Sequence, residues 1–209
     1  MASVLAGGLG LGVNPVGADV INGSFETGFL GWRQTDAGGS LDVVTSRFGV
    51  NFATTETTYS PVDGSYFAVL VAGAQDEFVR IEQDVAMEVG DILSGWAYFS
   101  SNEDGKGGFN DVASVEVFDM AGAFVARPYF RDSATVGGFV DEDWMEWSFT
   151  ATAADTYTLR LGVANVPDNT FPSEAGFDHI RLQRVPEPSA VLTLFLGLLV
   201  SGMRRRAQG

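Results

Sequence analysis

The sequence predicts an all-β protein, an antiparallel β-sandwich, and three observations predict it. Apolar and polar residues alternate one by one in its best segments. Turn signals separate those segments at short intervals. No long stretch between Asp19 and Arg184 keeps a helical period.

Taken in order, the strand segments begin with Val20–Phe25, Leu41–Thr45, Tyr66–Val71, Phe78–Val85 and Leu93–Phe99. Val115 and Val117 then flank Glu116, which puts two apolar side chains on one face and the carboxylate on the other. Phe124–Phe130 follows. Met145, Trp147 and Phe149 share one face of the next segment, against Trp144, Glu146 and Ser148 on the other. Tyr157–Val163 alternates strictly and is the clearest strand, and Gly176–Leu182 is the last. Between them stand Asp63-Gly64, Val89-Gly90-Asp91, Asp104-Gly105, Gly137-Gly138 and Pro167-Asp168-Asn169, all turn formers. A parallel α/β fold needs helical crossovers, and the pattern contains none. Trp147 and Trp96 are expected in the core, and Trp32 as a cap on one end of the sandwich.

Composition narrows the function. About 165 residues between the two ends make one domain, large enough to stand without disulfides. The chain has no cysteine, which excludes thiol catalysis, thiolate zinc sites and iron–sulfur clusters. Asp19–Val185 carries 26 acidic residues against nine basic ones. Such a surface repels phosphate backbones, so nucleic acid is not a partner, and it attracts cations, calcium above all.

Both ends read as targeting segments. Residues 1–18 are apolar and glycine-rich and close on Val16-Gly17-Ala18, a signal-peptidase pattern with Asp19 as the first mature residue. No basic residue precedes the apolar stretch, so a true start upstream is one expectation. Residues 19–184 form the sandwich domain. The tail, 185–209, runs from Val185-Pro186-Glu187-Pro188 through an apolar helix, Ala190–Met203, to Arg204, Arg205 and Arg206. The two prolines isolate that helix from the last strand. Fourteen residues span about 21 Å as a helix, short of the roughly 30 Å hydrocarbon core. Snorkelling arginines and local thinning compensate, and the arginine triplet marks the cytoplasmic side.

On these residues the tail resembles the PEP-CTERM sorting signal of exopolysaccharide-producing Gram-negative bacteria. The resemblance covers Val185–Arg206 and implies an exosortase-type membrane protease as partner, cutting near Pro186-Glu187-Pro188. It further implies retention in the inner membrane before processing, then a place on the cell surface or in the extracellular matrix. A second resemblance covers the domain. Asn22-Gly23-Ser24-Phe25-Glu26 with Gly31-Trp32 opens it, Asp63-Gly64-Ser65-Tyr66-Phe67-Ala68 stands in the middle, and Gly176-Phe177-Asp178-His179-Ile180-Arg181-Leu182 closes it. This order is similar to the galactose-binding-like jelly roll of many carbohydrate-binding modules. It implies a structural calcium ion between the chain ends, held by Glu26 and Asp178 with Asp63 as a weaker ligand. The alternative for Asp178 is hydrogen bonding or an arginine partner.

Sugar recognition requires exposed flat aromatics beside polar groups. Trp144, off the core phase of its strand and amid Asp141, Glu142 and Asp143, is the first candidate, and Tyr129 with its flanking arginines the second. Ser101–Asp111 fits no calcium-loop spacing and reads as a solvated acidic loop, as does Pro167–Glu174. Catalysis finds no motif: the one histidine, His179, falls on the face opposite Asp178, and no nucleophile elbow or phosphate loop occurs. The expectation is an exported, non-catalytic glycan-binding protein associated with exopolysaccharide. Its alternatives are a matrix protein without sugar affinity and, further off, a small glycoside hydrolase or lyase.

Overall fold

A computed structural model describes residues 19–50 and 57–186. In chain order the strands are β1 (Arg33–Thr35), β2 (Ser40–Val44), β3 (Arg47–Phe48), β4 (Thr58–Tyr59), β5 (Phe67–Val71) and β6 (Phe78–Met87). They continue as β7 (Ile92–Ser100), β8 (Val112–Phe118), β9 (Phe124–Asp132), β10 (Met145–Thr150), β11 (Asp155–Ala164) and β12 (Glu174–Gln183). One short helix, α1 (Ser133–Val136), follows β9. One sheet runs β1-β6-β11-β8-β9, a second runs β10-β7-β12-β5-β2, and β3 and β4 form a ribbon. All named pairs are antiparallel. From β5 onward the chain passes repeatedly between the sheets, with β5, β7, β10 and β12 in one and β6, β8, β9 and β11 in the other. That is the winding of a jelly roll.

Alternation explains the first sheet. In β11, Tyr157, Leu159, Leu161 and Val163 are buried, and they lie opposite Val85, Ile81 and Val79 of β6 and Val117 and Val115 of β8. Each such side chain contributes roughly 1.5–3 kcal/mol by leaving water. The other face is a charge ladder, with Arg160 and Arg80 on Glu82, Arg33 on Asp84 and Arg127 on Glu116.

In the second sheet both faces are covered. Leu70, Leu93, Ala97, Phe99 and Phe177 pack into the main core. Tyr59, Phe67, Val69 and Tyr98 form a second cluster on the other side. This is why β5 reads as an unbroken apolar run. Trp147 is a core residue, 3% exposed. Trp96 is not. It shares the phase of Tyr98, on the face away from the main core, and is half-buried.

Two segments depart from the expected pattern. Val20–Phe25 is a set of turns, because Asn22 and Phe25 adopt φ of 53° and 54° and the Phe25 N–H closes on the Asn22 carbonyl at 3.1 Å. The Asn22 side chain organises the turn, accepting from Thr27 N–H and donating to the Gly28 carbonyl. Gly23 permits contact with the last strand: a Cβ there would stand 1.9 Å from the Ile180 carbonyl oxygen. Phe25 then buries completely against Trp32, ring centroids 5.4 Å apart. In β12 the register breaks between Asp178 and Arg181, with His179 at φ 52°.

The expected signal peptide, residues 1–18, lies outside the described residues, as do the helix 190–203 and, apart from Pro186, the sorting motif. Among the described residues no helix is long and apolar enough to cross a membrane.

Candidate functional site

The three expected metal ligands converge on one turn. Asp178 is fully buried, and its Oδ2 accepts from the N–H groups of Val62 at 2.7 Å and Asp63 at 3.0 Å. Its Oδ1 accepts from the N–H of His179 at 2.7 Å. Glu26 reaches the same turn, where its Oε1 accepts from the N–H groups of Ser65 at 2.6 Å and Tyr66 at 2.9 Å. Asp63 accepts the Ser24 hydroxyl at 2.7 Å and lies 3.4 Å from His179 Nδ1, so Asp63 and His179 are neighbours. Burial pushes the Asp178 carboxyl up to about 6, opposed by its three amides. The Ser24 hydroxyl, then His179, hold Asp63 below the usual carboxylate range.

Calcium takes six to eight oxygens; here both oxygens of Asp178 and Oε1 of Glu26 accept backbone N–H bonds. Among the described residues no group of three or more His, Asp or Glu side chains is arranged to hold a metal.

The two aromatic candidates are not joined to that turn. Trp144 is half-buried. Its ring stands edge-on to Tyr98 and Phe67, with centroids 4.8 and 5.4 Å away, and its indole N–H donates to the Ser60 carbonyl at 3.0 Å. Tyr129 is 4% exposed and belongs to the main core, with Arg131 over its ring at 5.3 Å. A hollow of about 540 Å³ beside it is lined by Arg131 and Glu142, which are ion-paired at 3.0 Å.

A different site forms at the end of the sandwich where β7, β9 and β11 finish and β8, β10 and β12 start. A cleft of about 250 Å³ opens there, lined by Glu103, Asp104, Phe109, Phe139, Asp168, Thr170 and Phe171. The phenylalanines come from three separate connections and remain 40%, 36% and 52% exposed. Phe139 and Phe171 have φ of 46° and 49°. A bulky side chain in the left-handed region costs on the order of 1–3 kcal/mol and persists only where its surroundings impose it.

At Phe139, hydrogen bonds impose it. The Phe139 N–H donates to the Glu103 carbonyl at 2.8 Å, and Ser101 N–H to the Val140 carbonyl at 2.8 Å. Asn110 N–H reaches the Val166 carbonyl at 2.6 Å. Asp111, fully buried, joins two walls by accepting from Val166 N–H at 3.0 Å and the Ser173 hydroxyl at 2.6 Å. Ser173 Oγ also accepts from Asn102 N–H. Two glycines permit the close approach: a Cβ on Gly138 would meet the Asp104 carbonyl oxygen at 2.2 Å, and one on Gly105 the Ser133 carbonyl oxygen at 2.4 Å.

Glu103 is the exception in this network. It is 5% exposed, yet its Oε1 has no hydrogen-bond partner. Burial first, then the negative charges of Asp111 and Asp168, push its carboxyl up to about 7. Burial also raises Asp111 to about 6, against the pull of Ser173 and Val166. Asp168 closes its own loop by accepting from the N–H and hydroxyl of Thr170, each at 3.0 Å.

So the two loops expected to be merely solvated build a cleft together with the connection that carries Phe139, and their Ser101, Asn102, Glu103 and Asp111 are buried. A signal existed in the sequence: Phe109, Phe139 and Phe171 each lie among turn-forming residues, outside the alternating segments.

No protein-family model matches the chain, and no curated protein does. Solved structures with a similar backbone include a family 61 carbohydrate-binding module in complex with β-1,4-galactotriose. It is 16% identical with a TM-score of 0.47, the match covering 79% of this chain and 97% of that one. A family 16 carbohydrate-binding module is 18% identical with a TM-score of 0.43, covering 78% and 98%. The enzymatically active domain of tailspike protein 4 from bacteriophage CBA120 is 13% identical with a TM-score of 0.43, covering 79% of this chain and 21% of that one. At such values the likeness assigns neither ligand nor activity.

Proposed function

We propose that this chain is an exported, non-catalytic protein of the cell surface or extracellular matrix whose jelly roll binds glycan in the loop-end cleft. The observation that carries the reading is the cleft itself, with three partly exposed phenylalanine rings beside carboxylates on a hydrogen-bonded frame. Aromatic faces cover the C–H surface of a sugar ring and fixed acceptors take its polar groups, and little ordering is left to be done on binding. The residue order Pro186-Glu187-Pro188, apolar stretch and Arg204-Arg205-Arg206 supports sorting through a PEP-CTERM signal, with an exosortase as processing partner and exopolysaccharide as the surrounding polymer.

Affinity electrophoresis of the full-length chain through gels containing single polysaccharides tests the binding reading. Retardation by at least one polymer, relieved by Phe139→Ser with Phe171→Ser, is the expected result. Free migration through every polymer overturns it. For the tail, replacing Pro186-Glu187-Pro188 by alanines is expected to leave an unprocessed, membrane-retained form, and normal processing contradicts the assignment. A second reading, a matrix protein without sugar affinity, is favoured by the inward packing of Trp144 and Tyr129, and free migration is its result.

A further inference from the structure

We infer that the cleft is selective for sugars bearing a free ammonium group, such as deacetylated hexosamines, with Glu103 as the group that receives the ammonium. This inference rests on the glycan-binding reading and adds the class of sugar.

The cleft has an unbalanced negative charge. Glu103, Asp104 and Asp168 line it and Asp111 lies beneath. Among the described residues none of the four is ion-paired to a Lys, Arg or His side chain. Lys106, in the same loop, meets Asp104 only through its backbone N–H, at 2.8 Å. Elsewhere the inward carboxylates are satisfied: Glu174 pairs with Arg47, Asp91 pairs with Arg184, and Asp178 accepts three backbone N–H groups. A carboxylate oxygen that is buried, unpartnered and flanked by like charges needs a cation more than it needs a hydroxyl.

The rest of the lining limits what that cation can be. Among the described residues no cluster is arranged for a metal ion. Aromatic rings in the lining suit a compact organic cation, because the negative face of a ring attracts an ammonium group while the same ring packs on the C–H groups beside it. An ammonium on a pyranose ring supplies both. An N-acetyl group or a neutral hydroxyl at that position leaves the Glu103 charge uncompensated.

Titration calorimetry of the full-length chain at pH 7 and 0.15 M salt, where exposed charges are screened beyond about 8 Å, tests this. The probes are a glucosamine hexamer, an N-acetylglucosamine hexamer, cellohexaose and a trilysine peptide. The glucosamine hexamer is expected to bind at least about tenfold tighter than the other three, a difference of about 1.4 kcal/mol. Glu103→Gln, which keeps the shape of the side chain, is expected to lose about that tenfold for the glucosamine hexamer. Glu88→Gln, at the opposite end of the sandwich, is expected to leave it unchanged. Equal affinity for the three sugars overturns the ammonium assignment and leaves the glycan reading standing. No binding of any sugar overturns both. Equal losses in the two Gln variants, or tighter binding of trilysine, overturn the assignment in favour of general attraction to an acidic protein or of a peptide ligand.

Discussion

The backbone N–H of Phe139 donates to the carbonyl of Glu103 at 2.8 Å, so an aromatic wall of the cleft and its buried carboxylate are fixed to one another through the main chain. Side chains joined in this way do not need to be gathered by a ligand, and substitutions that disturb the joint act on both at once.

The Glu103 carboxyl sits near 7, above its unfolded value near 4.5, so the native state binds the extra proton between those pH values. Stability from this group is therefore full below about pH 4.5 and falls as pH rises through 7. Glu103→Gln removes the titration. It is expected to raise the melting temperature at pH 8, by a free energy of about 1–3 kcal/mol for removing a buried charge flanked by like charges, and to change little at pH 4. A lowered melting temperature at pH 8 contradicts the unpaired state of this carboxylate.

Gly138 has φ +64°, and a Cβ there would meet the Asp104 carbonyl oxygen at 2.2 Å. Gly138→Ala is expected to cost about 1–3 kcal/mol through strain and overpacking. That lowers the melting temperature by roughly 2–4 °C per kcal/mol in a protein of this size. Sugar binding weakens with it, because the joint between loop 101–111 and Phe139 has to open. An unchanged melting temperature places the two loops farther apart than described.

Arg47 forks onto Glu174, with Nη2 at 2.6 Å and Nε at 2.8 Å from Oε2, while the Tyr98 hydroxyl donates to Oε1 at 3.1 Å. Glu174 is fully buried, and burial holds its carboxyl above the usual range despite these partners. Arg47→Ala is expected to cost about 3–5 kcal/mol by stranding the charge. Arg47→Met with Glu174→Gln is expected to recover much of the loss. Denaturant titration of both variants decides it, and a double variant no better than the single one rejects the account.

At Asp178 the expectation concerns a cation. Melting curves in millimolar calcium and in chelator are expected to coincide, because both oxygens are engaged by N–H groups. Asp178→Ala is expected to destabilise the fold by on the order of 3 kcal/mol, having left three N–H groups without their acceptor. A calcium-dependent rise in melting temperature that disappears in Asp178→Asn would falsify the amide cradle.

The sheets were legible in the sequence because burial imposes a period of two, and Tyr157–Val163 shows it without interruption. The bulge at His179 was not legible: a single residue at positive φ shifts the phase, and nothing in Asp178-His179-Ile180 announces it. It brings His179 to Asp63, which strict alternation would have kept apart. Glu26, Asp63 and Asp178 were readable as one group through the order of their motifs, but not the direction of the amides around them. The cleft was least legible. Its rings lie in connections about thirty residues apart, and only the folded path of β7 through β12 places them together.

β12 begins at Glu174, next to the Ser173 hydroxyl that anchors the cleft, and ends at Gln183, two residues before the Val185 N–H that donates to Asp91 at the far side of the sandwich. Ten residues of extended chain cover about 33 Å. Anything attached beyond Pro186 therefore pulls from the pole opposite the opening. Were the chain held through that end, the cleft would face away from the point of attachment.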